Sequence, residues 1–429
     1  MCKKTYQKLL LCLLLIGVLV VSTSVFSAPK KVKLVYWTHW EQNPIFNAYY
    51  EKKGKEFGKL HPEVEGVEVV VIPYSSYEAK FFTALTSGKG APDIFNAQAH
   101  DWAGRYQYAD PMPEKFEKRV NQQLAEYLKP VGVWEGKRYG IPIEAGNFQQ
   151  LYINVDMFEE VGLDSSIPPK TYDDLLEYAK RLTKYDKNGK IERAGFAIRY
   201  SGTQSGITDK YLTILDAFGG SLYDTKRNVA SGVTNSKEAV EALHWFTDLV
   251  HKHKVSSLDI GVPETAFGQG RTAMILRESW VIGWLENNAP DIRFKVCPAP
   301  SQNKEPGGGN LFPWANMVYA NGLNKDLAWE FMEFVFTPKN DLEQTSAQGI
   351  LPVCAENYES EYVKSRPDYE SVKSVLDRSD ALAYSYYGPK MNELANAYGD
   401  AVLNALYGRM TPKQALDEAA VRMDAILKQ

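Results

Sequence analysis

The chain has 429 residues, which is too many for one hydrophobic core, so at least two domains are expected. Lysine and arginine number 49 against 53 aspartates and glutamates, and this balance argues against nucleic acid or an anionic membrane as a partner. The sequence has no CxxC or HExxH spacing, so neither a metal nor another cofactor is expected.

The first 28 residues have the pattern of a secretory signal peptide. Three lysines within positions 3–8 form a basic start, an apolar run covers 9–21, and small residues follow. The apolar run is shorter than the roughly 20 residues that span a bilayer. We therefore expect cleavage after Ser27 or Ala28, with an uncleaved anchor as the weaker alternative.

The cysteines bear on where the mature protein resides. Cys12 lies inside the apolar run, whereas a lipidated cysteine would begin the mature chain. The expected product is therefore periplasmic and not a lipoprotein, and its 46 basic and 53 acidic residues give a formal charge of −7. Cys297 and Cys354 remain in it, and one disulfide can form between them in an oxidising compartment if their Cα atoms come close enough.

Strands and helices alternate at the start of the mature chain. Hydrophobic periodicity predicts strands at 33–37, 67–72 and 93–96 and helices at 43–60 and 76–87. This alternation predicts an α/β fold with a mainly parallel sheet covered by helices on both faces.

The later elements are predicted to be increasingly helical. The patterns indicate, in chain order, a hairpin at 134–142, a strand at 151–155, a helix capped by Thr171, a turn at 185–190, and helices at 236–253, 325–336, 389–407 and 412–427. Three tryptophans lie inside apolar helical patterns and are predicted to be core residues: Trp245, Trp284 and Trp329.

Several sequence blocks together resemble a known family, the extracellular solute-binding proteins of the maltose-binding type. The blocks are, in order, 34–38 (LVYWT), 90–95 (GAPDIF) with 99–101 (AHD), 136–142 (GKRYGIP) leading to 151–154 (LYIN), 267–274 (FGQGRTAM) with Ser279 and Trp280, and 307–314 with 328–331 (AWEF). Each block alone is moderately specific, whereas all of them in this order make a strong signal.

The resemblance implies a two-lobed periplasmic-binding-protein fold with a helical C-terminal part. Each lobe is expected to be a mainly parallel sheet flanked by helices, and the chain is expected to cross between the lobes three times. The crossings are placed by analogy near 143–146, 295–298 and 337–340. This gives a first lobe of 29–143 plus 298–337 and a second lobe of 144–297 plus 338–429.

A sugar site is expected to combine aromatic rings with carboxylates and amides, because a sugar has both C–H faces and hydroxyl groups. Ligands of open α/β folds bind beyond the carboxyl ends of strands. Polar and aromatic residues follow the first and third predicted strands, which makes candidate ligand contacts of Trp37, His39, Trp40, Asn96, Gln98, Asp101 and Trp102.

The resemblance adds candidates from later in the chain. They are Glu144 and Asn147 in the first crossing, Glu278 and Trp280 at the end of the fourth block, and Trp314 and Asn316 after the glycine-rich loop. Three further candidates keep a structural alternative, because Tyr77 and the pair Tyr386 and Tyr387 also suit helix capping. Gln98 occupies a position where maltose-specific members have an aromatic residue, which favours a sugar other than maltose.

The expected function is that of the substrate-binding component of an ABC importer. It would capture a carbohydrate between its lobes as a monomer, deliver it to the membrane permease subunits and perform no chemistry. One alternative keeps the fold and binds a non-sugar solute such as a glycerol-phosphate ester, a peptide or an anion. The other is a secreted glycoside hydrolase using Asp101, Glu144 or Glu278, although no reaction-specific motif supports it.

Overall fold

The computed structural model describes residues 31–40, 44–97, 101–145, 148–303, 314–376, 388 and 390–429. The strands are β1 (Val32–Thr38), β2 (Val64–Val71), β3 (Ile94–Ala97), β4 (Val133–Trp134), β5 (Lys137–Arg138), β6 (Gly140–Pro142), β7 (Gln150–Asn154), β8 (Lys184–Tyr185), β9 (Ile191–Arg193), β10 (Met274–Arg277), β11 (Phe294–Cys297) and β12 (Ala315–Val318).

The α-helices follow the predicted positions closely at both ends of the chain. They are α1 (Pro44–Leu60), α2 (Tyr74–Ser87), α3 (Glu114–Gln123), α4 (Val155–Glu160), α5 (Tyr172–Leu182), α6 (Gln204–Ala217), α7 (Lys237–His251), α8 (Pro263–Gly268), α9 (Trp280–Asn288), α10 (Lys325–Val335), α11 (Pro338–Gln348), α12 (Glu361–Lys364), α13 (Tyr369–Leu376), α14 (Met391–Leu406) and α15 (Pro412–Leu427). The predicted cap at Thr171 is confirmed, since its hydroxyl accepts from the Asp174 backbone N–H in a capping box. No helix among the described residues is long and apolar enough to cross a membrane.

The first sheet has the strand order β2-β1-β3-β12-β6. Strands β2, β1 and β3 are parallel, as the alternating pattern predicts, whereas β12 is antiparallel to both of its neighbours. Helices cover both faces of this sheet. As a result, alternate residues of β1 contribute to two different cores. Leu34 and Tyr36 pack with α1, and Trp37 packs against Phe81 of α2.

The second sheet has the order β10-β7-β11, and both outer strands are antiparallel to β7. The prediction of a mainly parallel sheet is therefore wrong for this lobe. Hydrophobic periodicity reports which residues are buried, but it does not report the direction in which a strand is paired. Long helical segments separate β7 from β10, and such a connection can return the chain in either direction.

The hydrophobic cores divide the chain differently from the predicted boundaries. Cores of the first lobe take buried side chains from 34–148 and 315–372, and cores of the second lobe take them from 151–299 and 391–427. Residues 338–372 thus pack with the first lobe, where Lys53 of α1 bonds Glu343 of α11. Described side chains on both sides of the predicted crossing at 337–340 therefore belong to the first lobe, and those from 391 onwards belong to the second.

The two mature-chain cysteines are buried free thiols in different lobes. Cys297 belongs to a core of the second lobe and Cys354 to a core of the first. The disulfide that the sequence permits is therefore not formed, because each sulfur is enclosed by its own core.

Candidate functional site

The chain topology brings one edge of each sheet together. Strands β1 and β6 of the first sheet end at the same edge, and the antiparallel strand β12 begins there. The chain leaves this sheet at Pro142 and enters the second sheet at Gln150, so the short segment 143–149 holds the two edges next to each other. Because β10 is antiparallel to β7, the carboxyl end of β10 also lies at this junction.

A cavity of about 580 Å³ occupies the junction, within the range of roughly 300–1,000 Å³ that is typical of small-molecule sites. Both lobes contribute to it. Its described lining consists of His39, Trp40, Pro44, Ile45, Glu144, Arg199, Gly206, Lys210, Glu264, Arg277, Glu278, Trp280, Gly283, Trp284, Asn287, Asn288, Trp314 and Gln348.

The first lobe supplies an aromatic wall from the ends of β1 and β12. The rings of His39 and Trp314 have centroids 4.1 Å apart, and Trp40 stacks on Phe46 of α1 at 5.3 Å. Burial lowers the pKa of His39 to about 3, so its imidazole is neutral at physiological pH. The indole N–H of Trp40 is buried without a hydrogen-bond partner among the described residues, and it is a donor that a ligand oxygen can use.

The second lobe supplies a chain of buried charges at the carboxyl end of β10. Glu278 forms ion pairs with Lys210 of α6 and with Arg277, whose guanidinium also bonds Glu264 of α8. Burial on its own would raise the pKa of Glu278, but the positive charges of Lys210 and Arg277 outweigh it and hold that pKa at about 2. Tyr152 donates a hydrogen bond to the Glu278 backbone carbonyl at 2.8 Å, which fixes the strand end.

Arg277 also positions an aromatic ring. Its guanidinium carbon lies 5.1 Å from the centre of the Trp280 ring, a cation–π geometry. Trp280 begins α9 and is partly exposed to the cavity. The ion-pair chain therefore holds both a carboxylate and an indole at the cavity wall.

Glu144 follows β6 in the short connecting segment and differs from Glu278 in its surroundings. It is 5% exposed, and its Oε2 has no hydrogen-bond partner among the described residues. Burial, reinforced by the negative charge of Glu278, raises the pKa of Glu144 to about 8. At neutral pH this carboxyl is mostly protonated and can donate as well as accept a hydrogen bond.

Six of the predicted site residues line the cavity: His39, Trp40, Glu144, Glu278, Trp280 and Trp314. Their contact with a ligand remains a prediction. The residues Gln98, Asn147, Tyr386 and Tyr387 and the side chain of Asp101 lie outside the described residues.

Four predicted residues pack inside the first lobe and are absent from the described cavity lining, and three of them are buried while Trp37 is partly buried. Trp37 points from β1 towards α2, and Trp102 is only 7% exposed and packs on Phe81. Tyr77 lies behind the His39 ring and donates its hydroxyl to the Asn96 carbonyl at 2.5 Å. Asn96 itself is fully buried in β3. The helices α1 and α2 cover both faces of this sheet, so the side chains within its described strands are kept away from the cavity.

Asn316 is the fifth predicted ligand contact that is absent from the described cavity lining. It lies within β12, where its amide oxygen accepts from the Tyr36 hydroxyl at 2.6 Å and its amide nitrogen donates to the Tyr50 hydroxyl at 2.8 Å. Both polar groups of its side chain are therefore used inside the core, and the residue acts as an internal bridge between strand and helix.

The sequence reasoning missed much of the second-lobe wall. Lys210, Arg199 and Glu264 carry no local motif, because they reach the cavity from separate elements, and Gln348 of α11 was missed in the same way on the first lobe. Trp284 was predicted to be a core residue, but it lines the cavity with Asn287 and Asn288. Within the described part of the chain, His, Cys, Asp and Glu residues form no group of three or more that could hold a metal ion.

Comparison with known proteins places this geometry in a family. The family model described as bacterial extracellular solute-binding protein matches residues 40–341. The maltotriose-binding protein of Pyrococcus abyssi is 25% identical over 378 residues, which cover 86% of this chain and 75% of that protein.

Two further proteins show the range of relatives. The sn-glycerol-3-phosphate-binding periplasmic protein of Escherichia coli K12 is 25% identical over 424 residues, 90% of this chain and 92% of that protein. Among solved structures, an ABC transporter solute-binding protein of Thermotoga lettingae bound to α-D-tagatose superposes with a TM-score of 0.79. The two sequences are 25% identical, and the superposition covers 93% of this chain and 100% of the Thermotoga lettingae chain.

Proposed function

The chain belongs to the bacterial extracellular solute-binding protein family, and we propose that it is the carbohydrate-binding component of an ABC importer. The family implies a periplasmic or extracellular location, a carbohydrate ligand and permease partners. The observation that carries the proposal is a cavity at the junction of two lobes that combines four tryptophans with carboxyl and amide groups.

The composition of the cavity favours a neutral sugar over a phosphate ester. Three cationic side chains, Arg199, Lys210 and Arg277, line the described cavity together with the carboxylates of Glu264 and Glu278 and the mostly protonated carboxyl of Glu144. Lys210 and Arg277 form ion pairs with the carboxylates of Glu278 and Glu264. A phosphate would require cations that are not already neutralised by carboxylates, whereas indole rings and neutral hydrogen-bonding groups suit sugar faces and hydroxyls.

The same groups favour binding without hydrolysis. A glycosidase needs two carboxyl groups that face the scissile bond. Glu144 has a raised pKa, as a general acid would. Glu278, however, has one carboxylate oxygen on Lys210 and the other on Arg277, so it is poorly placed to act as a nucleophile or base.

The proposed mechanism is closure of the two lobes around the sugar. A ligand that contacts Trp40 and Trp314 on one lobe and Trp280 on the other stabilises the closed arrangement, because only that arrangement provides both sets of contacts. The permease subunits would recognise the closed form. We further propose that the chain is cleaved after Ser27 or Ala28, is not lipidated, acts as a monomer and does not bind nucleic acid.

A thermal-shift screen tests the proposal on the mature protein. Glucose, mannose, arabinose, their oligomers of two and three units, and sn-glycerol-3-phosphate are each added to the protein. At least one sugar should raise the melting temperature, since ligand that binds only the native state stabilises it. The proposal fails if sn-glycerol-3-phosphate alone gives a shift, or if the bound oligosaccharide is cleaved with a rate that falls in Glu144→Gln.

A further inference from the structure

One face of α9 lines the cavity along its whole length. Trp280, Gly283, Trp284, Asn287 and Asn288 all border the cavity, and they recur at the spacing of a single helix face. This spacing usually marks the buried side of a helix. Here part of that face lies against open space between the lobes.

The helix runs from the floor of the cavity to its opening. Glu278, just before the helix, is 2% exposed, the two tryptophans are partly exposed, and the two asparagines are exposed. A ligand lying along α9 therefore meets first the ion-paired carboxylate, then two indole rings in succession, and finally two amides.

Trp284 is held in place from behind. A Cβ on Gly268 of α8 would lie 3.1 Å from Cζ3 and 3.4 Å from Cη2 of the Trp284 ring, so a larger residue at that position would push the indole back by a few tenths of an ångström. The asparagine amides are oriented as well. Asn287 donates to the Gly283 carbonyl at 2.7 Å and Asn288 to the Trp284 carbonyl at 2.8 Å. Each amide oxygen then remains the group that can accept from a ligand hydroxyl.

We propose that the part of α9 beyond Trp280 is a second sugar subsite, in which Trp284 stacks on the ring adjacent to the one on Trp280 and Asn287 and Asn288 accept from its hydroxyls. The inference rests on the proposed carbohydrate function and specifies it further: the preferred ligand is an oligosaccharide of at least two rings. Residues four apart on a helix have Cβ atoms about 5–6 Å apart, a spacing that suits neighbouring rings of one chain.

Calorimetric titration with glucose, maltose and maltotriose, and with mannose, mannobiose and mannotriose, tests the subsite. The variants are Trp284→Ala, Trp280→Ala and the double substitution Asn287→Ala with Asn288→Ala, whose exposed side chains leave folding unaffected. Trp134→Ala is the matched control, because Trp134 is a partly exposed tryptophan outside the described cavity lining. Melting of each unliganded variant verifies that it is folded.

Trp284→Ala should weaken di- and trisaccharide binding by about tenfold or more while changing monosaccharide affinity by less than about twofold. The asparagine double variant should also lose affinity for di- and trisaccharides and not for monosaccharides, but by a smaller factor. Trp280→Ala should lower the affinity for every sugar that the wild-type protein binds. Two results would overturn the subsite but not the carbohydrate proposal. One is that Trp284→Ala loses the same affinity for monosaccharides as for trisaccharides. The other is that neither Trp284→Ala nor the asparagine double variant loses affinity for a trisaccharide. If the wild-type protein binds neither these six sugars nor any other sugar of the thermal-shift screen, the carbohydrate proposal falls and the subsite falls with it.

Discussion

Glu144 connects the cavity to a property of the whole protein, the pH dependence of its free energy of unfolding. Its carboxyl is 5% exposed and lies among the charges of Glu278 and Lys210 from the second lobe and of Asp368 and Arg366 from the first. Replacing it by glutamine keeps the shape and removes the titration. The expected effect is a change in how the free energy of unfolding depends on pH.

The sign follows from the direction of the pKa shift. The pKa of Glu144 rises from 4.5 to about 8 in the folded protein, so between these values the folded state keeps a proton that the unfolded state has lost. Folding is therefore favoured at low pH, and this contribution is lost as pH rises from about 4.5 through about 8. A shift of this size corresponds to about 5 kcal/mol in total, at about 1.4 kcal/mol per pH unit.

Urea unfolding of the unliganded protein between pH 5 and pH 9, followed by tryptophan fluorescence, measures the effect. Glu144→Gln should gain stability relative to wild type as pH rises, with little further gain above pH 8. Glu126→Gln is the control, because the Glu126 side chain is 80% exposed and should leave the pH profile unchanged. A difference between wild type and Glu144→Gln that stays constant over the whole pH range would refute the reasoning.

Three further predictions concern residues that support the site. Asn316→Ala should lower the free energy of unfolding by about 2–4 kcal/mol, because the buried Tyr36 hydroxyl loses the acceptor Asn316 and the buried Tyr50 hydroxyl keeps only Gln344. The dissociation constant of a sugar, measured by calorimetry, should stay within about twofold. Gly283→Ala places a Cβ 2.5 Å from the Gln348 carbonyl oxygen of the other lobe, so the two lobes should close less tightly and sugar affinity should fall. An unchanged affinity would show that the lobes do not need this close contact to enclose the sugar. Cys297 and Cys354 should react with a thiol reagent only after unfolding, and reaction of the native protein would contradict their burial as free thiols.

The sequence predicted the elements of the first lobe well, because their periodicity and caps are local. Strand β1 and helix α1, for example, lie within one residue of their predicted bounds. Pairing direction and lobe boundaries were harder to predict. The position of residues 338–372 in the first lobe depends on long-range contacts such as that between Lys53 and Glu343, which no local pattern encodes.

The site was predictable where a residue follows a strand end and not where it lies within an element. His39, Trp40 and Glu144 follow strands and line the cavity, whereas Asn316 lies inside β12 and is buried. Trp284 shows a second limit. Helical spacing identifies a face that is turned away from bulk water, but it does not distinguish a packed core from a ligand cavity.

The order of strands in the first sheet has a consequence for the synthesis and export of the chain. Strand β12 lies between β3 and β6, so β6 acquires its sheet neighbour only when residues 315–318 have been made, after about three quarters of the chain. Such distant pairing is slow to form, because a long loop must close before the contacts are gained. A nascent chain with this topology remains incompletely folded during most of its translation. For a protein that we propose to be secreted, we expect this delay to favour export, because the polypeptide must still be unfolded when it crosses the membrane.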